Sequence, residues 1–169
     1  VRTARDGVGR EARAVVADDE WTAIRAAGVL KAKWSGKASL PDQARLPETL
    51  RKAGPVEGEK LAAKGAPAAL PGDARSLKAT YFWPAQSHAS LGPSCAIADV
   101  GADAATIWTA SQGTHGNRAS FARFLKLPPE KVRLIYLDGA GCYGMNGHED
   151  AAADAAIVSR AVGRPVRVQ

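Results

Sequence analysis

Between an apolar run from Val132 to Leu137 and an alanine-dense stretch from Glu149 to Val162, the chain places four glycines in the segment Asp138 to Asp150. This arrangement fixes a strand, then a loop, then a helix. Glycines let the loop backbone take positive φ and come close to a ligand, leaving amide N–H groups free to face phosphate or carbonyl oxygens. Glu149 and Asp150 suit the first turn of the helix, Gly163 stops it, and Pro165-Val166-Arg167-Val168 begins a further strand. The loop is where a ligand would bind.

Gly139, Gly141 and Gly144 satisfy the G-x-G-x-x-G spacing of dinucleotide-binding turns. Three features oppose that reading. Met145-Asn146-Gly147 delays the helix beyond the third glycine, the chain ends Val168-Gln169 without an acidic ribose ligand, and the unit closes the chain where such a half would open a domain. The competing structural account is a plain strand-to-helix turn whose glycines serve only its shape.

Upstream, Ser76 to Trp83, Ser94 to Val100 and Ala105 to Ala110 read as strands, with Gly101-Ala102-Asp103 as the turn between the last two. Arg118 to Leu125 carries Ala119, Phe121, Ala122, Phe124 and Leu125 on a helical face, and Pro128 to Lys131 makes a turn or short helical step. Near the start, Ala14 to Ala17, Glu20 to Ala27 and Val29 to Trp34 give strand, helix and strand, with Asp18 or Asp19 as the N-cap. Residues 35–75 hold five prolines among Gly, Ala and Lys, with a helix expected only from Pro41 to Lys52; this is a connector. The division expected is 1–34, 35–75 and 76–169, in an α+β chain.

The formal charge of +6 and pI near 9.6 admit a polyanionic partner, but Lys and Arg are scattered from Arg2 to Arg167 without runs or interleaved aromatics. A solvated surface explains them, and no nucleic-acid partner is expected. Cys95 and Cys142 form no CxxC or CxxH pair; a disulfide between them stays open, while the apolar neighbours of Cys142 suit a packed thiol. His88, His115 and His148 lack the spacing of a metal triad, so no metal ligands are assigned. Ser87-His88 with Asp99 has neither a nucleophile elbow nor an oxyanion motif. No apolar run is long enough to span a bilayer and Val1 opens no signal-peptide core, so the chain reads as mature or truncated material.

Four ordered blocks narrow the ligand. They are Tyr81 to Asp99 (YFWPAQSHASLGPSCAIAD), Ile107 to His115 (IWTASQGTH), Lys131-Val132-Arg133 with the glycine loop, and Gly163 to Val168 (GRPVRV). In this order the chain resembles the molybdopterin-binding large subunit of the xanthine dehydrogenase and aldehyde oxidase family, most of all the bacterial isoquinoline 1-oxidoreductase and nicotinate dehydrogenase type. The resemblance runs from Ala14 to Gln169 and is strongest from Leu77 onward. It implies the end of an α/β hammerhead-like unit at 1–34, the long connector, and the opening part of a molybdenum-cofactor-binding α+β domain at 76–169.

The resemblance further implies hydroxylation of N-heteroaromatic or aldehyde small molecules with oxygen from water, electrons leaving through an iron–sulfur partner subunit. It implies a molybdopterin cofactor, in its cytosine dinucleotide form. Gln112 matches the family's glutamine near the molybdenum, where a neutral amide suits hydrogen bonding to a dithiolene. Cys142-Tyr143-Gly144, with Gly141 and Met145 beside it, matches the loop whose backbone amides contact the pterin and the metal's ligands. Tyr143 replaces the usual phenylalanine, which backbone contacts tolerate. At the positions of the xanthine-type substrate glutamates stand about Gly92 and Gly147, so purine selectivity is not implied. The family's general-base glutamate matches no residue of this chain, so no catalytic residue is assigned and the chain is expected to be catalytically incomplete. The alternative is a noncatalytic fragment or stand-alone module of the same fold with a binding role. The resembled group works in the bacterial cytoplasm or periplasm, and the N-terminus does not choose between them.

Overall fold

A computed structural model describes residues 2–5, 11–54, 57–59, 61–65, 69–147 and 150–169. It contains two compact units, one made of residues 1–31 with 87–169, the other of residues 32–86.

In the first unit, β1 (Arg2–Arg5) and β2 (Glu11–Ala14) form an antiparallel hairpin, Arg2 opposite Ala14 and Arg5 opposite Glu11. Helix α1 (Glu20–Gly28) follows, and Asp19 is its N-cap, accepting from the Thr22 amide at 2.9 Å. Hydrogen bonding from Thr22 holds the Asp19 carboxyl below the ordinary carboxylate range. Of the strand expected at Ala14 to Ala17, only Ala14 is in β2. The strand expected from Val29 to Trp34 does not form. The Val29 amide is drawn back onto the carbonyls of Ala27 and Arg25, and the segment has no neighbouring strand among the described residues to take up its ladder.

The second unit carries a 3-10 turn at Gln43–Arg45, capped by Asp42, running into α2 (Leu46–Lys52). This agrees with the helix expected from Pro41 to Lys52. Ser76 to Trp83 forms no strand: its side chains are exposed, and alternation without a partner strand leaves the backbone to water. Tyr81 and Trp83 instead place their rings 5.9 Å apart.

Back in the first unit, β3 (Ala96–Val100), β4 (Ala105–Thr109), β5 (Val132–Tyr136) and β6 (Val166–Val168) make one sheet in the order β5-β4-β3-β6. Pairing is parallel between β4 and β5 and antiparallel elsewhere. Helix α3 (Thr114–Leu125) links β4 to β5, and α4 (Asp150–Val162) links the glycine loop to β6. α3 begins four residues before the expected Arg118, because Gly113 starts it and the Asn117 amide bonds the Gly113 carbonyl at 2.8 Å. Glu149, expected as the first residue of the last helix, lies outside the described residues.

Burial follows the two-residue period of the strands. Ala96, Ala98 and Val100 of β3 and Ala105, Ile107 and Thr109 of β4 are buried, and the residues between them are less so. Against this face α4 sets Ala152, Ala155 and Ala156 and α3 sets Phe121, Ala122 and Leu125 in one core. Alanine on both sides lets α4 lie close across β3. Ile107, wholly buried at its centre, contributes about 1.5–3 kcal/mol. Two side chains tie the helices in place: Ser159 donates to the Arg164 carbonyl (2.9 Å) and accepts the Val100 amide (3.0 Å), and Arg160 donates to the Leu125 carbonyl at 2.6 Å.

Candidate functional site

The parallel pair β4 and β5 ends on one side of the sheet, and both following segments leave from there. The Leu137 amide bonds the Thr109 carbonyl (3.0 Å), one step past the ladder. Beyond it Gly139 passes so near that a Cβ on it would lie 2.7 Å from the Ala110 Cβ. This glycine is required for close passage of two chain segments. The turn after β4 is held internally: the Oγ of buried Ser111 accepts from the Gly113 amide (3.2 Å) and from Asn117 Nδ2 (2.9 Å). That fixes Gln112 between two anchored neighbours.

Gln112 and the glycine loop, well separated in sequence, meet directly. The Gln112 amide donates to the Asn146 carbonyl at 3.1 Å. Asn146 is itself buried, and its Nδ2 reaches back to the Gly141 carbonyl at 3.4 Å, so it braces both ends of the loop. Gln112, Gly141, Cys142, Tyr143, Gly144 and Met145 therefore occupy one end of the sheet.

Within the loop, Met145 N–H bonds the Cys142 carbonyl at 2.8 Å across Tyr143 (φ +48°) and Gly144 (φ +94°). Two successive positive φ angles mark a turn of the I′ kind, which favours Gly, Asn or Asp at both central places. Gly144 meets that demand and Tyr143 does not. Gly141 also has positive φ (+108°). Cys142 is half-buried with a free thiol, its Sγ accepting the Gly144 amide at 3.3 Å, and Cys95 is free as well. The disulfide left open from the sequence is therefore not formed. Tyr136 donates to Asp138 at 3.0 Å, and that hydrogen bond, reinforced by the carboxylate's charge, pushes the phenol's pKa up.

A strap formed by residues 87–93 lies along the loop. Leu91 N–H bonds the Ala140 carbonyl (3.0 Å), Ser90 Oγ donates to the Cys142 carbonyl (3.4 Å), and His88 Nδ1 lies 2.7 Å from the Tyr143 carbonyl. Gly92 passes the Ala140 methyl closely, an added Cβ meeting it at 3.0 Å. Sequence reasoning makes His88 an ordinary hydrogen-bonding histidine and gives Asn146 no role. His148 lies outside the described residues, and among those described no three His, Cys, Asp or Glu side chains gather as a metal site.

The donors at this end are neutral. Among the described residues the amides of Gly141, Cys142 and Tyr143 and the side-chain amide of Gln112 meet no hydrogen-bond acceptor. Tyr143 and Gln112 are exposed. Such a set suits an extended, acceptor-rich anionic group better than a bare cation. A pterin carrying its own metal and phosphate is of that kind. The geometry also departs from a dinucleotide fold, because α4 begins six residues after Gly144 and β6 pairs with β3 rather than beside β5.

Residues 55–169 match the family described as the molybdopterin cofactor-binding domain. The chain belongs to this family. The molybdopterin cofactor-binding match covers all of β3 to β6 and the strap, in agreement with the resemblance to the xanthine dehydrogenase and aldehyde oxidase group. A nicotinate dehydrogenase subunit of Pseudomonas putida is 40% identical over 168 residues, 98% of this chain and 14% of that protein. The molybdenum-binding subunit of an Escherichia coli aldehyde oxidoreductase is 38% identical over 94 residues, 54% of this chain and 13% of that one. Among solved structures, the aldehyde oxidoreductase of Desulfovibrio gigas aligns with a TM-score of 0.46 at 28% identity, covering 50% of this chain and 9% of that one. The chain spans about a seventh of the length of the curated relatives it matches.

Proposed function

We propose that this molybdopterin-binding chain serves in a molybdenum hydroxylase large subunit that oxidises N-heteroaromatic or aldehyde substrates with water as the oxygen source. The observation that carries the reading is the junction of Gln112 with the loop through the Asn146 carbonyl, which gathers four unpartnered amide donors at one end of the sheet. The cofactor, when bound, supplies the metal's redox and oxygen-transfer chemistry.

The chain's own part is to bind and orient. Backbone amides of Gly141, Cys142 and Tyr143 would hold acceptor atoms of the group, and the Gln112 amide would donate from the opposite segment without adding charge. Gly144 would let the loop lie flat against it, and Met145 would close the loop's far side. Tyr143, being exposed, would cover the group from solvent. The nicotinate dehydrogenase relative favours an N-heteroaromatic acid as substrate, and the cytosine dinucleotide form of the cofactor is what the family resemblance implies. An iron–sulfur subunit would take the electrons. The β1–β2 hairpin with α1 would be the end of an α/β hammerhead-like unit, and residues 35–75 a connector to the cofactor-binding domain at 76–169.

Analysis of the purified chain for molybdenum, pterin and acid-released cytidine monophosphate tests the reading, with dye-linked oxidation of nicotinate and aldehydes alongside. Metal and pterin near one per chain are expected. A folded chain that takes up neither from a cofactor-producing host overturns the cofactor reading and leaves the noncatalytic module.

A further inference from the structure

Tyr143 stands where an L side chain is disfavoured. With φ +48° it occupies the left-handed region, followed by Gly144 at +94°, in a turn closed by Met145 N–H to the Cys142 carbonyl. A non-glycine residue there costs about 1–2 kcal/mol, and such a conformation persists where surrounding contacts over-determine it. The strap supplies those contacts. Ser90 reaches the Cys142 carbonyl and His88 Nδ1 the Tyr143 carbonyl, so both carbonyls at the head of the turn are gripped from one side. The His88 ring also fills the space beside Gly144, where an added Cβ would meet Cε1 and Nδ1 at 3.2 Å. A carbonyl oxygen only accepts, so the 2.7 Å contact requires a proton on Nδ1.

We infer that His88 is a positioning residue: through Nδ1–H to the Tyr143 carbonyl, and together with Ser90 on the Cys142 carbonyl, it locks the 142–145 turn in its strained form, holding the Tyr143 amide toward a ligand before any ligand arrives. The purpose of the lock rests on the cofactor reading above; the lock itself does not. Peptide carbonyl and amide point to opposite sides of each peptide plane, so pinning the Tyr143 carbonyl fixes the Gly144 amide, and pinning the Cys142 carbonyl fixes the Tyr143 amide. Without His88, Tyr143 would relax toward negative φ and both peptide planes would turn.

The test uses the 169-residue chain without cofactor. Two-dimensional NMR of the imidazole nitrogens should show the proton of neutral His88 on Nδ1. Amide exchange at Gly144 and Met145 should quicken about three- to tenfold in His88→Ala, the factor expected for one neutral hydrogen bond. His88→Asn should restore slow exchange, because its Nδ2 donor stands in for Nδ1, and thermal melting should keep all three variants comparable in fold. In a Tyr143→Gly background, which removes the strain, His88→Ala should have a smaller effect. A proton on Nε2, unchanged exchange in His88→Ala, or an Asn variant as fast as the Ala variant would each overturn the lock. A wild-type chain that shows the lock but binds no molybdopterin overturns the proposed function alone.

Discussion

Gly139 and Gly144 stand five residues apart in the same loop and are glycines for different reasons. At Gly139 the constraint is space: an added Cβ would sit 2.7 Å from that of Ala110, which has no flexible end to move aside. Gly139→Ala should therefore push the loop from the end of β4 and cost about 1–3 kcal/mol, measurable by urea denaturation. At Gly144 the constraint is backbone angle, φ +94°. Gly144→Ala should lower stability by only about 1–2 kcal/mol yet reduce molybdenum and pterin content sharply, because it disturbs the turn that bears the donor amides. The sequence displays both glycines and the loop they form between strand and helix. It does not distinguish their reasons, because the Ala110 contact joins segments that only the folded sheet brings together. Asn146 is illegible for the same cause: its worth lies in reaching Gly141 and Gln112 at once.

At the scale of elements, α4 is held to the sheet by a polar pin as well as by alanine packing. Ser159 is fully buried, with Val100 N–H and the Arg164 carbonyl as its partners. Ser159→Ala should cost about 1–3 kcal/mol, chiefly because a buried amide loses its acceptor, and thermal denaturation will register it. On the same helix Asp154, though exposed, has its carboxyl's pKa raised by partial loss of hydration and by the charge of Asp150 one turn earlier. A raised carboxyl pKa makes the ionised form a burden on the fold, so its stabilising share is present in acid and lost as pH rises through the folded value. Asp154→Asn should thus melt higher than the parent at neutral pH, with the difference shrinking below the ordinary carboxylate range. Periodicity and alanine content locate β3, β4, β5, α4 and β6 in the sequence. They misplace strands at 29–34 and 76–83, because a strand exists only where a second strand lies beside it, and residue alternation carries no information about partners.

Across the whole molecule, regular structure is concentrated unevenly. The unit of residues 32–86 has α2 as its one α-helix among the described residues, and Leu61, Leu70, Leu77 and Trp83 stand largely open to water. Limited trypsin digestion should therefore cut first at Arg75 or Lys78 and leave 96–168 intact, as mass spectrometry of the fragments will show. In the other unit, Ala96 of β3 is paired with Val168, and α4 rests against β1, which lies far from it in sequence. That pairing has a temporal consequence during synthesis. On the ribosome β3, β4, α3 and β5 emerge with β3 still an edge strand, and β3 gains its second neighbour only after the glycine loop, α4 and β6 have followed. Closure across so long a separation is slow, so the β3–β4 hairpin is complete well before β3 acquires β6, and its outer edge stays open to other chains in the interval.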